Sequence, residues 1–193
     1  MGTEAVAGTW SPWIVPPGIQ ASFGNSYYGQ AVFEQSNWDF RKLNFDTDVE
    51  FGDAKAGPVL NSTNPDLRSF RDNGGKLIQY HGWSDPGVSP LSSVNYYESV
   101  AEHLRGDPSD FYRLFMVPGM QHCVGGPGPD HFDALTALEQ WVENAKAPER
   151  IVATHLADGK PDRSRPLCPY PQVAKWDGKG STDQAESFAC AMP

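Results

Sequence analysis

The residues best suited to chemistry lie in a short stretch, HGWSDPG, at positions 81–87. Gly82 and Ser84 match the start of the G-x-S-x-G turn that presents a nucleophilic serine in many hydrolases. Asp85 follows directly and could instead be the acid that orients a histidine base in a serine–histidine–aspartate triad. The stretch therefore supports two hypotheses, a nucleophile or a triad acid, and each requires partners elsewhere in the chain.

Ser84 fits the role of nucleophile poorly. The position two residues after a nucleophile must be small, and here it is Pro86, which is rigid and moves Asp85 out of the helical region. The residue after the serine should also donate its N–H to the oxyanion, but the Asp85 carboxylate would oppose that developing negative charge. We therefore interpret Ser84 as an ordinary loop hydroxyl.

Asp85 fits the role of the acid, with His122 as the base. His122 lies in a second glycine-rich stretch, MQHCVGGPGPD, which also follows an apolar segment. An aspartate bonded to the Nδ1–H of a histidine fixes the tautomer in which Nε2 can act as a base. The sequence leaves one alternative open, in which Asp85 stabilises the turn before Pro86 and His122 is ordinary polar surface.

One combination of side chains suggests a metal site: His81, Asp85, His122 and Cys123. We predict no metal there, because sequence neighbours such as His122 and Cys123 seldom point at one ion and no CxxC or HxxxH pair supports them. We interpret His81 as a strand-end residue that orders its loop. The other histidines are also interpreted as structural: His103, His131 and His155.

The elements that must position Asp85 and His122 follow from the hydrophobic pattern. GGKLIQYHG and FYRLFMVPG are short apolar runs bounded by glycine, which predicts two buried strands with a loop at each C-terminal end. Between them, SPLSSVNYYESVAEHLRG predicts a helix with Ser89 as its cap, Pro90 at its first position and Gly106 at its exit.

A second helix and a third strand are predicted downstream. DALTALEQWVENA is amphipathic, with Asp133 as the cap and one apolar face formed by Leu135, Leu138, Trp141 and Val142, and RIVATHL is a strand candidate. Strands that alternate with helices predict an α/β fold with a mainly parallel sheet. Because loops at the C-terminal ends of adjacent parallel strands lie together, we expect Asp85 and His122 to meet.

Composition limits the classes of partner. The 193 residues carry a net charge of −9, which disfavours a nucleic-acid binder, since such proteins need a basic face. No run of about 18 apolar residues is present, so no membrane span is predicted. The N-terminal stretch MGTEAVAG lacks the basic and apolar regions of a signal peptide, and none is predicted in this chain.

Two segments outside this pattern are also informative. The first 60 or so residues are rich in aromatic and turn-forming residues and show little periodicity, so we expect them to cover another part of the protein; a short helix is predicted around 54–60 or 66–71. Near the C-terminus, Cys168 and Cys190 bracket a polar loop in a pattern typical of a disulfide-stapled tail. Cys123 is left over, as a free thiol or as half of a bridge whose other half is absent.

Several long segments carry a resemblance to one known family. They are GGKLIQYHGWSDPGVSP, NYYESV, DFYRLFMVPGMQHCVGGPGPD, ALEQWVENAKAPERIVA and SRPLCPYPQVAKWDG. With these segments, residues 58–190 closely resemble the C-terminal half of the tannase and feruloyl esterase family, and residues 1–57 more loosely resemble the closing part of its lid domain.

The resemblance implies the C-terminal portion of an α/β-hydrolase fold, with 1–57 as the C-terminal part of a lid domain and 58–193 as the C-terminal part of the catalytic domain. It implies a serine esterase that cleaves esters of aromatic acids such as gallate or ferulate, with Asp85 as the triad acid and His122 as the triad base. A small aromatic ester is then the expected partner, and no nucleic acid or membrane is expected.

The resemblance also implies two disulfide bonds. Cys168–Cys190 matches one disulfide of the family. Cys123 would pair with a cysteine that directly precedes the nucleophilic serine, and this bridge would hold the loop of the base against the nucleophile turn. A secreted or periplasmic location is implied with them.

This chain departs from the family pattern in one respect. The family's serine lies in a C-S-x-G turn upstream of the lid, and no C-S-x-G occurs in these 193 residues. The family's calcium site belongs to the earlier part of the lid and has no counterpart here, so no cofactor is predicted in this chain. We therefore expect a C-terminal piece that begins inside the lid.

Two functional hypotheses follow. In the first, the chain is the acid/base half of a secreted aromatic-ester hydrolase. In the second, it is a non-catalytic truncated fragment, or a half that must associate with an N-terminal half of the same enzyme. In the first hypothesis, Trp10, Trp13 and Phe23 are candidates for lining the acyl pocket, although packing within the lid would also account for them.

Overall fold

A computed structural model describes residues 9–15 and 18–193. The N-terminal stretch 1–8, in which no signal peptide is predicted, lies outside the described residues. Within the described part, the chain forms two compact units that divide between Asn64 and Pro65. The boundary predicted between residues 57 and 58 falls inside a continuous helix, Asp48–Leu60.

The first unit is helical. Its elements are α1 (Trp10–Trp13), α2 (Ile19–Gly24), a π-helix (Asn25–Val32), a 3-10 helix (Phe40–Lys42) and α3 (Asp48–Leu60). Aromatic rings pack between them: Phe33 stacks on Phe51 with 5.8 Å between ring centroids, and Trp38 lies 5.6 Å from Phe33. Ring packing of this kind stabilises a segment whose sequence has little helical periodicity.

The second unit is α/β, which confirms the predicted class. Its elements in chain order are α4 (Arg68–Asp72), β1 (Leu77–Gly82), α5 (Pro90–Leu104), β2 (Tyr112–Val117), α6 (Ala134–Asn144), β3 (Ile151–Ala157), β4 (Lys160–Leu167), β5 (Val173–Trp176), a 3-10 helix (Ala185–Ser187) and β6 (Phe188–Ala191).

Strands β1 and β2 pair in parallel, as predicted. The register runs from Leu77 opposite Tyr112 to Gly82 opposite Val117, so both strands end at the same edge of the sheet. Helix α5 connects them, and this crossover is what allows two consecutive strands to run parallel. The loops that follow Gly82 and Val117 are therefore neighbours.

The prediction of a mainly parallel sheet is wrong beyond this pair. Strand β3 pairs antiparallel with β4, from Ile151 opposite Leu167, and the described strands form three separate two-stranded sheets. The reason is the two-residue turn Asp158–Gly159, in which both residues have positive φ, 51° and 74°. Such turns match the twist of antiparallel strands and produce a hairpin.

Strand β2 is buried on both faces, which explains its continuous apolar sequence. Tyr112, Leu114 and Met116 pack toward α5 in one core cluster. Phe115 and Val117 point to the opposite face and pack against β3 and β4 in a second cluster. This strand anchors the sheet from which the site loops emerge.

The helix predictions are confirmed with three differences. The Asp133 side chain caps α6 by accepting from the Thr136 N–H at 2.8 Å, as expected. Of the predicted apolar face, Trp141 is buried but Leu135 and Val142 are exposed. At the end of α5 the left-handed residue is Arg105, one position before the expected Gly106, and the side chain of Ser89 makes no capping bond at its start.

Candidate active site

Asp85 and His122 lie together at the shared edge of β1 and β2. The Nδ1 atom of His122 is 2.8 Å from Oδ2 of Asp85. The Asp85 side chain is only 4% exposed, whereas that of His122 is 36% exposed. The pair is thus a buried carboxylate that holds a histidine at the surface of the unit.

The loop backbone also binds Asp85. Its Oδ1 atom accepts hydrogen bonds from the N–H groups of Gly87, at 2.7 Å, and Val88, at 2.9 Å. The two sequence hypotheses for Asp85 are therefore compatible, since one carboxylate oxygen stabilises the turn around Pro86 and the other binds His122.

These bonds decide the charge of Asp85. Burial raises the pKa of its carboxyl group, but two backbone amides and His122 stabilise the ionised form, and the pKa is lowered overall from its ordinary value. Asp85 is therefore a carboxylate at neutral pH and can only accept hydrogen bonds. The neutral His122 ring must then carry its proton on Nδ1, and Nε2 is its basic nitrogen.

The two loops approach closely because residue 82 is a glycine. A Cβ atom at this position would lie 2.2 Å from the Met120 carbonyl oxygen and 2.4 Å from that of Gln121. Both contacts are with backbone, which cannot move aside cheaply. The Ser84 N–H also donates to the Met120 oxygen, at 3.0 Å, and joins the loops. Gly82 thus serves the contact between loops, and no feature of a nucleophile turn is needed to explain it.

The loop of His122 closes on itself. The Gln121 N–H donates to the Gly125 oxygen at 2.9 Å, and the Gly125 N–H donates to the buried Asp130 carboxylate at 2.5 Å. Gly126 has φ +99°, and a Cβ atom there would lie 2.1 Å from the Gly119 oxygen. The glycines noted in the sequence therefore make the loop tight, which holds the backbone of His122 in place.

Sequence reasoning missed the partners of His81. Its Nε2 atom lies 3.1 Å from Oδ2 of Asp85, the same oxygen that binds His122. Its Nδ1 atom lies 2.7 Å from the hydroxyl of Ser93, a buried residue of α5. The spacing of His81 and Asp85 across the end of β1 was visible in the sequence, but Ser93 resembles an ordinary helix residue.

The remaining candidate residues lie elsewhere. Trp10 belongs to α1 and Phe23 to α2, both about half exposed within the first unit, and Trp13 ends α1. Their part in substrate binding stays a prediction. Cys168 and Cys190 form a disulfide bond, as expected, and Cys123 is an exposed free thiol.

Neither a metal cluster nor a spanning helix is found in residues 9–15 and 18–193. No group of three or more histidine, cysteine, aspartate or glutamate residues there is arranged to hold a metal ion. No helix in this part of the chain is both long and apolar enough to cross a membrane.

Comparison with known proteins shows that the chain is similar to esterases. The family model for tannase and feruloyl esterase matches residues 1–191. The chain is 40% identical to an uncharacterized esterase of Xanthomonas campestris, over 96% of this chain and 40% of that protein. It is 50% identical to the mono(2-hydroxyethyl) terephthalate hydrolase of Piscinibacter sakaiensis, over 68% of this chain and 22% of that protein.

A solved structure agrees. The crystal structure of feruloyl esterase B from Aspergillus oryzae matches with a TM-score of 0.78 and 30% identity, over 86% of this chain and 36% of that one. The chain thus spans less than half the length of each of these relatives.

Proposed function

The chain belongs to the tannase and feruloyl esterase family, and we propose that it supplies the acid and the base of a serine carboxylic-ester hydrolase that acts on aromatic esters. The observation that supports this proposal is the 2.8 Å contact between His122 Nδ1 and Asp85 Oδ2 at the ends of two adjacent parallel strands. In this arrangement, Asp85 orients His122 and stabilises the imidazolium that forms during the reaction.

His122 would move one proton in each half of the reaction. Its Nε2 takes the proton from the serine hydroxyl as the serine oxygen bonds to the ester carbonyl carbon. The bond to the alcohol oxygen then breaks, and His122 gives the proton to that oxygen. Water next attacks the acyl carbon and gives a proton to Nε2, and the serine takes it back as the acyl bond breaks.

In this proposal the serine comes from a segment outside these 193 residues. We expect that serine in a C-S-x-G turn, a motif that this sequence lacks. The cysteine of that turn would form a disulfide with Cys123, whose thiol is exposed on the loop of His122. An N-terminal half of the same enzyme is then the partner of this chain.

The proposed substrate is a small ester of an aromatic acid. Two relatives carry names that refer to such esters, a terephthalate monoester and a feruloyl ester. In the complete enzyme, Trp10, Trp13 and Phe23 would line the pocket for the acyl group.

We place the protein outside the cytosol, in a secreted or periplasmic form. The Cys168–Cys190 disulfide supports this, because such bonds persist in oxidising compartments and are rare in the cytosol.

A fusion protein tests this proposal, with the serine-containing portion taken from a relative. This chain is fused to the portion of the Xanthomonas campestris esterase that it does not match, and the fusion and the isolated chain are treated with a fluorophosphonate probe and with methyl ferulate. We expect the fusion to be labelled on the serine of its N-terminal portion and to release ferulate, and the isolated chain to do neither.

Two results would contradict the proposal. Labelling of the isolated chain at Ser84 would make the HGWSDPG loop the nucleophile turn. A folded fusion that His122→Ala leaves fully active would assign the base elsewhere. The matched control is His155→Ala, since His155 also contacts an aspartate, at 2.6 Å, but lies in β3, which belongs to a different sheet from β1 and β2. A folded fusion that never hydrolyses esters would favour the alternative, a non-catalytic chain.

A further inference from the structure

We propose that His81 is a positioning residue for Asp85, held as the neutral Nε2–H tautomer by a directional chain of hydrogen bonds that begins at Tyr112. Its effect on turnover rests on the proposed function, whereas its tautomer does not. The hydrogen bonds run from Tyr112 through Gln79, Ser93 and His81 to Asp85. The direction of each bond follows from which of its two atoms can donate and which can accept.

The direction is set at Gln79. The Tyr112 hydroxyl donates to Oε1 of Gln79, an oxygen that can only accept. The amide nitrogen of Gln79 can only donate, and it lies 2.9 Å from the Ser93 hydroxyl oxygen. The Ser93 oxygen therefore accepts from Gln79.

The same reasoning fixes His81. The Ser93 hydroxyl has one proton, and its other neighbour is Nδ1 of His81 at 2.7 Å. Among the hydrogen bonds of the described residues, Nδ1 is the acceptor available to this proton, because the amide nitrogen of Gln79 cannot accept it, and Nδ1 must therefore be unprotonated. The ring proton is then on Nε2, which donates to Oδ2 of Asp85 at 3.1 Å.

Burial stabilises these hydrogen bonds in the directions given above. Tyr112 is 0% exposed, Ser93 is 6% exposed, and the His81 side chain is 12% exposed. Burial raises the pKa of Tyr112 well above its ordinary value, so its hydroxyl stays a proton donor. Little water is available to exchange with the bonds of the chain, and breaking one would leave a buried polar group unpaired.

The consequence concerns the two histidines on Asp85. His122 and His81 contact the same carboxylate oxygen, but His122 does so through Nδ1 and His81 through Nε2. Nδ1 of His81 accepts a hydrogen bond from the Ser93 hydroxyl, so its lone pair is already engaged. His81 therefore orients Asp85 by donating from Nε2, the nitrogen opposite to the one through which His122 contacts the same oxygen.

The first test reads the tautomer directly. The 193-residue chain is labelled with ¹⁵N-histidine, and long-range ¹H–¹⁵N correlation spectra are recorded at neutral pH, with His81→Phe used to assign the His81 signals. We expect His81 to show the Nε2–H pattern. His131 and His155 contact carboxylates through Nδ1, at 2.8 and 2.6 Å, and provide internal references for the opposite Nδ1–H pattern. An Nδ1–H pattern for His81, or a mixture, would overturn the proposal.

A second variant tests the hydrogen bond between Ser93 and His81. Ser93→Ala removes the donor to Nδ1 of His81 with little change in volume. We expect the Nδ1 resonance of His81 to shift in this variant and those of His131 and His155 to stay unchanged. An unshifted Nδ1 resonance would show that Ser93 does not bind the ring.

The third test measures turnover in the fusion that contains the serine. His81→Phe removes the donor to Asp85, and we expect kcat to fall about tenfold with KM unchanged, as for loss of a hydrogen bond to a charged group. His81→Gln places an amide N–H where Nε2 was and should recover most of kcat. Equal kcat for all three proteins would overturn the positioning role. If the unsubstituted fusion is inactive, the proposed function fails and the spectra still decide the tautomer.

Discussion

Asp85 Oδ2 lies 2.8 Å from His122 Nδ1, and this contact forms because Gly82 allows the loops after β1 and β2 to touch. The bond joins residues from two consecutive parallel strands, so it depends on tertiary structure as well as on local sequence. Its carboxylate side is buried and ionised, and its imidazole side is accessible. That asymmetry is what a base needs, since only the ring has to meet a substrate.

Replacing Asp85 by Asn should remove the function of the pair. An amide cannot accept from both rings as the carboxylate does, and the neutral His122 loses the partner that keeps its proton on Nδ1. In the serine-containing fusion we expect kcat to fall by about 10⁴, the order seen when a triad aspartate becomes asparagine. Asp162→Asn is the matched control, because Asp162 contacts His155 in the same way, and it should keep kcat. Comparable rates for both variants would contradict the role of Asp85.

The stability of the isolated chain should depend on pH through the same residue. The folded-state pKa of Asp85 is lowered from its ordinary value, so its ionised form stabilises the fold above the ordinary aspartate range. This stabilisation is lost as pH falls through the lowered pKa. We expect the difference in free energy of unfolding between the unsubstituted chain and Asp85→Asn to shrink from neutral pH toward acid pH. Urea titrations at a series of pH values would measure it, and a constant difference would refute the prediction.

Gly82→Ala should push the two site loops apart. The new Cβ would lie 2.2 Å from a backbone oxygen of Met120. We expect a loss of about 1–3 kcal/mol in the free energy of unfolding, as for other overpacked sites, and a loss of kcat in the fusion. Gly106→Ala is the control, because a Cβ there meets nothing within 4 Å. The prediction fails if both variants unfold at the same urea concentration.

Removing the C-terminal disulfide should destabilise the isolated chain. The bond joins residues 22 apart, and the loop-closure model gives about 3 kcal/mol for a loop of roughly this size. We expect Cys168→Ser/Cys190→Ser to lower the free energy of unfolding by about that amount. Cys123→Ser changes an exposed free thiol and should leave it unchanged in the isolated chain. A similar loss for Cys123→Ser would mean that this thiol contributes to the fold in a way its exposure does not indicate.

The sequence was sufficient to predict the two strands and the helix that position the site. A glycine-bounded apolar run such as FYRLFMVPG is a clear signal of a strand buried on both faces, and Ser89-Pro90 marks a helix start even without a capping bond. The meeting of Asp85 with His122 followed from strand order alone. Predicting this contact therefore required no knowledge of side-chain packing.

Other features could not be predicted by these means. The hairpin of β3 and β4 had a local signal, Asp158-Gly159, and its misassignment came from extending the alternation of strands and helices one step too far. The contact of His81 with Ser93 had no local signal, because it depends on how α5 packs on β1. The exposure of Leu135 likewise depends on which elements cover α6, and helical periodicity does not determine this.

Leu114 and Leu135, predicted from the sequence to lie in a buried strand and on an apolar helix face, should differ in how much each contributes to the free energy of unfolding. Leu114 lies in β2 and is 0% exposed, whereas Leu135, on the predicted apolar face of α6, is 66% exposed. We expect Leu114→Ala to cost about 2–5 kcal/mol in the free energy of unfolding, since it leaves a cavity between α5 and the sheet. Leu135→Ala should change it by less than about 0.5 kcal/mol in the isolated chain.

Urea unfolding of both variants measures this difference. In the fusion, any segment that covers α6 would raise the cost of Leu135→Ala, while the cost of Leu114→Ala should stay the same because its surroundings lie within residues 65–193. A large cost for Leu135→Ala in the fusion but not in the isolated chain would therefore locate the surface against which the rest of the enzyme packs. A large cost already in the isolated chain would contradict the exposure of this residue.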